Sequence, residues 1–162
     1  MKKLLKIILI TILLTSPVYS AGSSGNDNGT DSKIKANTPF YSATTRIKKA
    51  KKLEKKGKIE KATIQYEKAL KYLLKSNKEK PNKADTLNYL GFASRKLGNF
   101  EVAEKYYLDG LKIKPNHNGI NEYLGELYIS TNRIELAKER LEILRNCKCE
   151  EYAELKELIE NN

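Results

Sequence analysis

The fold of this chain is decided by residues 88–99, which read NYLGFASRKLGN. A Leu-Gly pair lies inside a run of apolar residues at helical spacing, and a second glycine follows seven residues later. No catalytic group accompanies the two glycines. Gly91 therefore predicts a helix that approaches a neighbour closely, and Gly98 predicts the turn that ends this helix and reverses the chain.

The same pattern returns 34 residues further along the chain. The matched positions are Tyr89 with Tyr123, Leu90 with Leu124, Gly91 with Gly125, Ala103 with Ala137, and Lys80-Pro81-Asn82 with Lys114-Pro115-Asn116. Apolar and small residues recur at helical spacing from Pro39 onward, and no stretch shows the alternation typical of a strand. We therefore expect an all-α domain built from repeated helix pairs.

An earlier copy of the pattern carries an insertion. The residues Gly57, Ala62 and Tyr66 precede their counterparts Gly98, Ala103 and Tyr107 by 41 positions rather than 34. The seven additional residues lie between Leu70 and Pro81. Because seven residues make nearly two turns at about 3.6 residues per turn, a helix can lengthen by this amount without rotating its apolar face. We predict an elongated second helix in the first pair.

A 34-residue period with a small residue inside one helix, a turn, and a second helix with alanine and an aromatic four apart resembles the tetratricopeptide repeat family. The middle copy carries the family positions Leu87, Leu90, Gly91, Gly98, Ala103, Tyr107, Gly110 and Pro115. The family often has Trp at the first of these and Tyr at the position of Ser94. The third copy carries Leu124, Gly125, Tyr128, Ala137 and Leu141, with Asn132 at the turn, and the first carries Ala50, Leu53, Gly57, Ala62, Tyr66 and Ala69.

The resemblance implies a right-handed α-solenoid of about three helix-turn-helix pairs, at residues about 43–82, 84–117 and 118–148. After the third pair, Tyr152, Leu155, Leu158 and Ile159 share one helical face and glutamates occupy the rest. We expect a capping helix at about 149–160, because the last repeat of an array needs a cover for its exposed core. The helical domain is thus predicted over residues 41–162.

The N-terminal residues predict an export signal. Met1-Lys2-Lys3 is a basic start, residues 4–14 are mostly apolar, and Val18-Tyr19-Ser20 precedes Ala21, which is the pattern of a secretory signal peptide over residues 1–20 cleaved near Ser20. The alternative is an uncleaved anchor, although the apolar run is about half of the roughly 20 residues that span a bilayer. Residues 21–40 are small and polar and predict a disordered linker. We expect an exported, periplasmic protein that is soluble after cleavage.

The positive charge is concentrated in the first repeat. The formal net charge is +11, and residues 41–80 hold fourteen Lys or Arg against four Glu. This excess suggests an anionic partner, which can be a phospholipid surface, an acidic protein or a nucleic acid. Export argues against nucleic acid. The alternative is a solvated lysine-rich helix face, since clustered lysines without arginine or interleaved aromatics are weak evidence of specific recognition.

The family geometry implies that the first helix of each pair lines a concave groove. The predicted partner-binding positions are Lys51, Asn88, Tyr89, Phe92, Arg95, Lys96, Glu122, Tyr123 and Glu126, with Lys48, Lys55 and Ile129 beside them. We expect Phe92 to anchor a partner, the alternative being that it packs against Tyr89 or a neighbouring repeat. Glu122 and Glu126 stand where a clamp for a carboxylate would need basic groups. The gradient from basic to acidic residues along the groove instead favours an extended peptide of matching polarity.

Catalysis finds little support in the sequence. The one histidine, His117, lies in a loop before a predicted helix, where a capping or surface role is usual. The chain has no glycine-rich phosphate loop, no paired histidine ligands and no nucleophile motif. We therefore predict no catalytic residue, no cofactor and no metal site.

Cys147 and Cys149 are the only cysteines, separated by Lys148. Three interpretations remain open at this point. In an oxidising compartment the two can form a disulfide with each other, though the loop it closes is small. They can be ordinary thiols or a link to another chain, or they can bind a soft metal such as Cu(I) through two thiolates.

Two functions from different classes follow from these patterns. The first is a non-enzymatic exported interaction module that binds a peptide or protein partner in its groove, as an adaptor, scaffold or assembly factor in the cell envelope. The alternative is a thiol redox or metal-handling protein in which Cys147 and Cys149 are the working groups and the repeats are a platform.

Overall fold

The structure, a computed structural model, describes residues 38–162. Seven helices follow one another in this range: α1 (Pro39–Glu54), α2 (Ile59–Glu79), α3 (Ala84–Lys96), α4 (Phe100–Ile113), α5 (Asn118–Ser130), α6 (Ile134–Leu144) and α7 (Glu150–Glu160). Residues 38–162 contain no strand, so the all-α prediction is confirmed there. The predicted signal peptide and residues 21–37 of the predicted linker lie outside the described residues.

The helices form an α-solenoid of antiparallel pairs. Each pair, α1 with α2, α3 with α4 and α5 with α6, packs most extensively on itself, and α2 and α4 then pack on the first helix of the next pair. The helix α7 packs on α5 and α6 and closes the array. Ala62, Ala103 and Ala137 are fully buried on the second helices, where a small side chain lets two helix backbones approach.

The first helix begins earlier than the predicted domain boundary. Pro39 occupies the first turn of α1, where its missing N–H leaves no hydrogen bond unmade, and the Thr38 hydroxyl accepts a hydrogen bond from the Tyr41 amide at 3.2 Å. Pro39 and Phe40 therefore belong to the helix rather than to the linker, which the sequence had extended to residue 40.

The insertion in the first repeat lengthens α2, as predicted. This helix has 21 residues, whereas its counterpart α4 has 14, a difference of seven. Within the added turns Leu73 is fully buried and Ser76 is nearly so, whereas Lys71 and Lys75 are exposed. The apolar face thus stays in register with the core, because the insertion is close to two whole turns.

The turns inside the three pairs share one backbone conformation. Gly57 and Gly98 have φ values of 68° and 81°, and Asn132 at the equivalent position of the third pair has φ 58°. This left-handed conformation costs a glycine nothing and is tolerated by asparagine better than by most residues. The prediction that Asn132 replaces the turn glycine is confirmed.

Gly91 and Gly125 allow close packing, as their sequence context indicates. A Cβ atom placed on Gly91 would lie 2.4 Å from Cε1 of Tyr107, whose ring covers the α3 backbone. A Cβ atom on Gly125 would lie 2.6 Å from Cδ2 of Leu155, which reaches α5 from α7. Both contacts are shorter than van der Waals packing permits, so any side chain at these positions would displace Tyr107 or Leu155.

No helix in the described range 38–162 is both long and apolar enough to cross a bilayer. The longest, α2, has 21 residues but carries lysines along its length.

We predict that Gly91→Leu lowers the free energy of unfolding by about 1–3 kcal/mol, because the new side chain displaces the buried Tyr107 ring. Urea unfolding of the purified protein measures this loss. Ala153→Leu, a small-to-large change at an exposed position of α7, is the control and should alter stability by less than about 0.5 kcal/mol. Equal losses in the two variants would contradict the packing assigned to Gly91.

Candidate binding surface

The first helices of the three pairs bring six of the predicted groove residues together. Lys51 lies on α1, Phe92 and Arg95 lie on α3, and Glu122, Tyr123 and Glu126 lie on α5. These helices also contact one another, α1 with α3 and α3 with α5. We call these six residues the inner cluster. Their surroundings decide which parts of the predicted groove a partner can reach.

Phe92 is part of the core and not the exposed anchor that the sequence suggested. Its side chain is only 4% exposed. Its ring meets Tyr66 of α2 edge-on at 6.0 Å and Tyr123 of α5 at 4.9 Å between ring centroids. The structure therefore bears out the alternative, packing against a neighbouring repeat, because aromatic side chains close over Phe92 from both sides.

Lys51 lies over the same aromatic rings. Its Nζ atom is 4.7 Å from the centroid of Phe92 and donates a hydrogen bond of 3.4 Å to the Tyr123 hydroxyl. An ammonium over a ring face is attracted by the electron density of the ring. Burial lowers the pKa of Lys51, and the nearby Glu122 and Glu126 oppose that shift. Lys51 is thus a structural cation rather than a free binding group.

Charged side chains of the predicted groove form ion pairs within the protein. Arg95 Nη2 lies 2.6 Å from Glu126 Oε2, with side chains only 12% and 22% exposed. Lys96 Nζ lies 2.8 Å from Glu54 Oε1, and Glu54 also accepts a hydrogen bond from the Tyr66 hydroxyl. Partly buried pairs of this kind satisfy charges that would be costly to leave alone. The expected gradient from basic to acidic along the groove is therefore largely neutralised within the protein.

Glu122 is a buried carboxylic acid beneath the capping helix. The residue is only 3% exposed. Burial raises the pKa of Glu122 to about 10, and a hydrogen bond with Glu154 of α7 and the charge of Glu126 add to the shift. At neutral pH the group is protonated and donates to Glu154. The sequence analysis did not single out Glu154. The one signal that could have identified it is its position next to Leu155, which is buried.

Asn88 and Tyr89 differ in how much of each remains accessible. Asn88 is 7% exposed. A Cβ atom placed on Gly119 of α5 would lie 3.0 Å from the Nδ2 atom of Asn88, so the amide is held between α3 and α5. Tyr89 is half-buried with its ring edge-on to Phe40 at 5.6 Å. Burial raises the pKa of Tyr89, with the charge of Asp85 adding to it. Tyr89 keeps part of its surface open on the inner side.

The accessible part of the predicted groove consists of residues that are not fully buried, two of which, Arg95 and Glu126, also belong to the inner cluster. Tyr89, Arg95, Lys96, Glu126 and Ile129 are partly exposed, and Lys48 and Lys55 are exposed. Among these seven residues, Tyr89 and Ile129 pack against the core that contains Phe92 and Tyr123, and Arg95 lies over both of those rings. We call the seven residues the inner rim. A partner on this side would meet aromatic and charged groups that are already held in place by internal contacts.

His117 caps a helix, in agreement with the capping role that the sequence suggests. Its Nδ1 accepts a hydrogen bond of 3.2 Å from the Ile120 amide, which satisfies a free N–H at the start of α5. With Nδ1 as acceptor, Nε2 donates to Asp85 Oδ1 at 2.9 Å. This hydrogen bond lowers the pKa of Asp85. The ring is buried, so the surface alternative does not hold.

Cys147 and Cys149 form a disulfide with each other, with their Cα atoms 5.2 Å apart. The bond closes the turn between α6 and α7, and Cys149 is the residue that precedes the first turn of α7. Lys148 between them has φ 50°, a conformation unusual for lysine. Across residues 38–162 no three His, Cys, Asp or Glu side chains are grouped so as to hold a metal ion.

The family of the central repeat follows from comparison with known sequences. Residues 84–117, which comprise α3, α4 and their loops, match the profile of the family described as tetratricopeptide repeat. This segment is similar to a tetratricopeptide repeat. Comparison with curated proteins gives no match for the chain.

Two structures of one protein share the helical fold of this chain at low sequence identity. One structure of the Yersinia enterocolitica type III secretion translocator chaperone SycD is 15% identical, aligns over 84% of this chain and 100% of SycD, and has a TM-score of 0.56. An alternative dimer of SycD is 16% identical over 74% and 90%, with a TM-score of 0.54. The first tetratricopeptide domain of human RPAP3 is 21% identical over 76% and 98%, with a TM-score of 0.48.

We predict that Glu122→Gln removes a pH dependence of stability. The folded pKa of about 10 exceeds the ordinary value of 4.5, so the folded state holds a proton that the unfolded state releases between these values. Stability from this group is therefore full at acidic pH and falls as pH rises, by at most about 1.4 kcal/mol per unit. Glutamine mimics the protonated acid at every pH.

Urea unfolding at about pH 5 and about pH 9 tests this expectation. The two proteins should be similar at the lower pH, and Glu122→Gln should be more stable by at least about 2 kcal/mol at the higher. Glu157→Gln, at an exposed position of α7, is the control and should follow the wild type at both. A Glu122→Gln variant with the wild-type pH dependence would contradict the protonated state.

Proposed function

We propose that this protein is a non-enzymatic, exported interaction module that binds a peptide or protein partner on its inner rim. The observation that carries the proposal is that Tyr89, Lys96 and Glu126 stay partly exposed on the first helices of consecutive pairs, whose Phe92 and Tyr123 are buried. Groups that are already fixed lose little conformational entropy when a partner binds. A solenoid of three pairs offers this surface as one continuous face.

The comparison with solved structures supports a protein partner by analogy of fold. SycD is described as a translocator chaperone, a protein that acts on another protein. At 15% identity the likeness concerns the fold, and function belongs to the particular residues of a site. The residues of the inner rim therefore determine which partner binds. We propose that this partner is an extended segment with both charged and apolar side chains.

Export rests on the N-terminal sequence alone. We propose that residues 1–20 direct the chain out of the cytoplasm and are removed near Ser20. The intact mass of protein recovered from a bacterial periplasm should correspond to a chain that begins at Ala21. A chain lacking residues 2–20 is the control and should stay in the cytoplasm; recovery of uncleaved protein in the membrane fraction would favour an anchor instead.

Photo-crosslinking tests the inner rim directly. A photoreactive residue at position 89 or 96 should capture the same single protein in cells, because both positions are accessible on one side of α3. Position 92 is unsuitable, since its side chain is buried. Position 105, exposed on the outer helix α4, is the matched control and should capture nothing reproducible. Equal capture at 105 would contradict the proposal.

Binding of the identified partner then gives a quantitative test. Lys96→Glu should weaken affinity by about tenfold or more, because it replaces the ion pair with Glu54 by two negative charges on the rim. Lys105→Glu makes the same charge change on the outer helix and should leave affinity within about threefold. Both substitutions are at sites with solvent-accessible side chains, and unfolding measurements verify that each variant is folded.

Thiol redox chemistry is a second candidate function, favoured by one observation. The disulfide joins cysteines one residue apart, and Lys148 between them holds a left-handed φ of 50°, which costs a lysine conformational energy. The two functions differ in their sensitivity to substitution. Under the binding proposal, Cys147→Ser with Cys149→Ser leaves capture at positions 89 and 96 unchanged; loss of capture with the fold intact would favour the redox function.

A further inference from the structure

The outer face of α2 carries a row of lysines. At 3.6 residues per turn, five lysines and one isoleucine fall within an arc of about 100° and extend along about 26 Å of the helix. All six are exposed: Lys61, Ile64, Lys68, Lys71, Lys75 and Lys78. We call these residues the lysine row. Glu60 and Glu67 lie at one edge of it, and Glu79 follows its last residue.

The lysine row is nearly unpaired. Within residues 38–162 its one ion pair joins Lys75 Nζ to Glu79 Oε1 at 3.9 Å, with side chains 65% and 48% exposed. Such an exposed pair contributes little to stability and neutralises little charge, since water and salt screen it. Four of the five lysines therefore present their full charge to the solvent.

The equivalent helices of the other pairs are different. On α4, Lys112 lies 2.7 Å from Asp109, and on α6, Lys138 lies 2.7 Å from Glu135. These lysines have an acid three residues earlier on the same helix, a spacing that brings two side chains together. The mixed charges of α4 and α6 are typical of an ordinary solvated face. The lysine row is thus not a general property of the outer helices.

The seven-residue insertion of the first repeat extends the lysine row. The added segment contains Lys71 and Lys75 and brings Lys78 onto the same face. Of its apolar residues Leu73 is buried, whereas Leu74 is 46% exposed at the side of the row. The insertion thus adds two solvent-facing lysines and one exposed leucine to the outer surface and places Lys78 further along the same face.

We propose that the lysine row is a docking surface for an anionic phospholipid bilayer. Lysine is a compact, hydrated point charge without the bidentate fork of arginine, so a row of lysines suits a diffuse layer of negative headgroups. Ile64, 46% exposed among the lysines, can enter the interface between headgroups and acyl chains. This surface lies on an outer helix and is separate from the inner rim, so it goes beyond the proposed function.

Cosedimentation with lipid vesicles tests the proposal. The full chain should bind vesicles that contain phosphatidylglycerol more tightly than vesicles of phosphatidylcholine alone, and added salt should weaken this preference. The apolar N-terminal segment is present in every variant and can bind both kinds of vesicle. The informative quantity is therefore the difference between the two vesicle types.

The triple variant Lys68→Gln, Lys71→Gln, Lys75→Gln should lower partitioning to anionic vesicles by about 100-fold, because each lysine near such a surface contributes about a factor of five. The control, Lys105→Gln, Lys112→Gln, Lys138→Gln, removes the same charge from exposed positions of α4 and α6. It should lower partitioning by less than about threefold. Equal losses in the two triple variants would mean that net charge alone acts, and would overturn the proposal.

A second pair of variants tests the contact with Ile64. Ile64→Ser should weaken anionic vesicle binding by about fivefold, and Val102→Ser should not, although Val102 is 50% exposed on α4. Absence of any preference for anionic vesicles in the wild type would overturn the proposal. Binding to polyglutamate that depends on the lysine row, without vesicle binding, would assign the surface to an acidic protein and also overturn it.

Discussion

The ring of Tyr107 lies directly on the backbone of α3, and this contact exists because Gly91 has no side chain. The same kind of contact, between Leu155 and Gly125, holds α7 against α5. With the second helices drawn in so closely, the first helices also meet, and Phe92 is enclosed between Tyr66 and Tyr123. The close approach that stabilises the array therefore also buries much of its inner face.

Much of the fold could be predicted from the sequence because its signals are local. The turn at Asn132, the elongated α2 and the small residues Gly91 and Gly125 each depend on conformations within one or two helices. The burial of Phe92 could not be predicted in this way. It depends on the distance between neighbouring pairs, and an aromatic residue beside a glycine is equally compatible with an exposed and an enclosed position.

The charges of the protein are organised differently on its two sides. On the inner side Arg95 pairs with Glu126, Lys96 with Glu54, and Lys51 lies over aromatic rings. On the outer side of α2 the lysines remain almost without partners. The unpaired positive charge of α2 therefore lies on its outer side, whereas Arg95 and Lys96 on the inner side are paired with glutamates. A sequence count of charges shows the excess but not this division, because pairing between helices depends on the packed structure.

The buried acid at Glu122 takes up a proton when the protein folds at neutral pH. Its carboxyl is charged in the unfolded chain at neutral pH and neutral in the folded one, where its pKa is about 10. Each molecule that folds must therefore withdraw about one proton from the surrounding water for this group. In a weakly buffered solution the uptake by this group acts to make the medium more alkaline on refolding, and a pH indicator measures the proton balance to which it contributes.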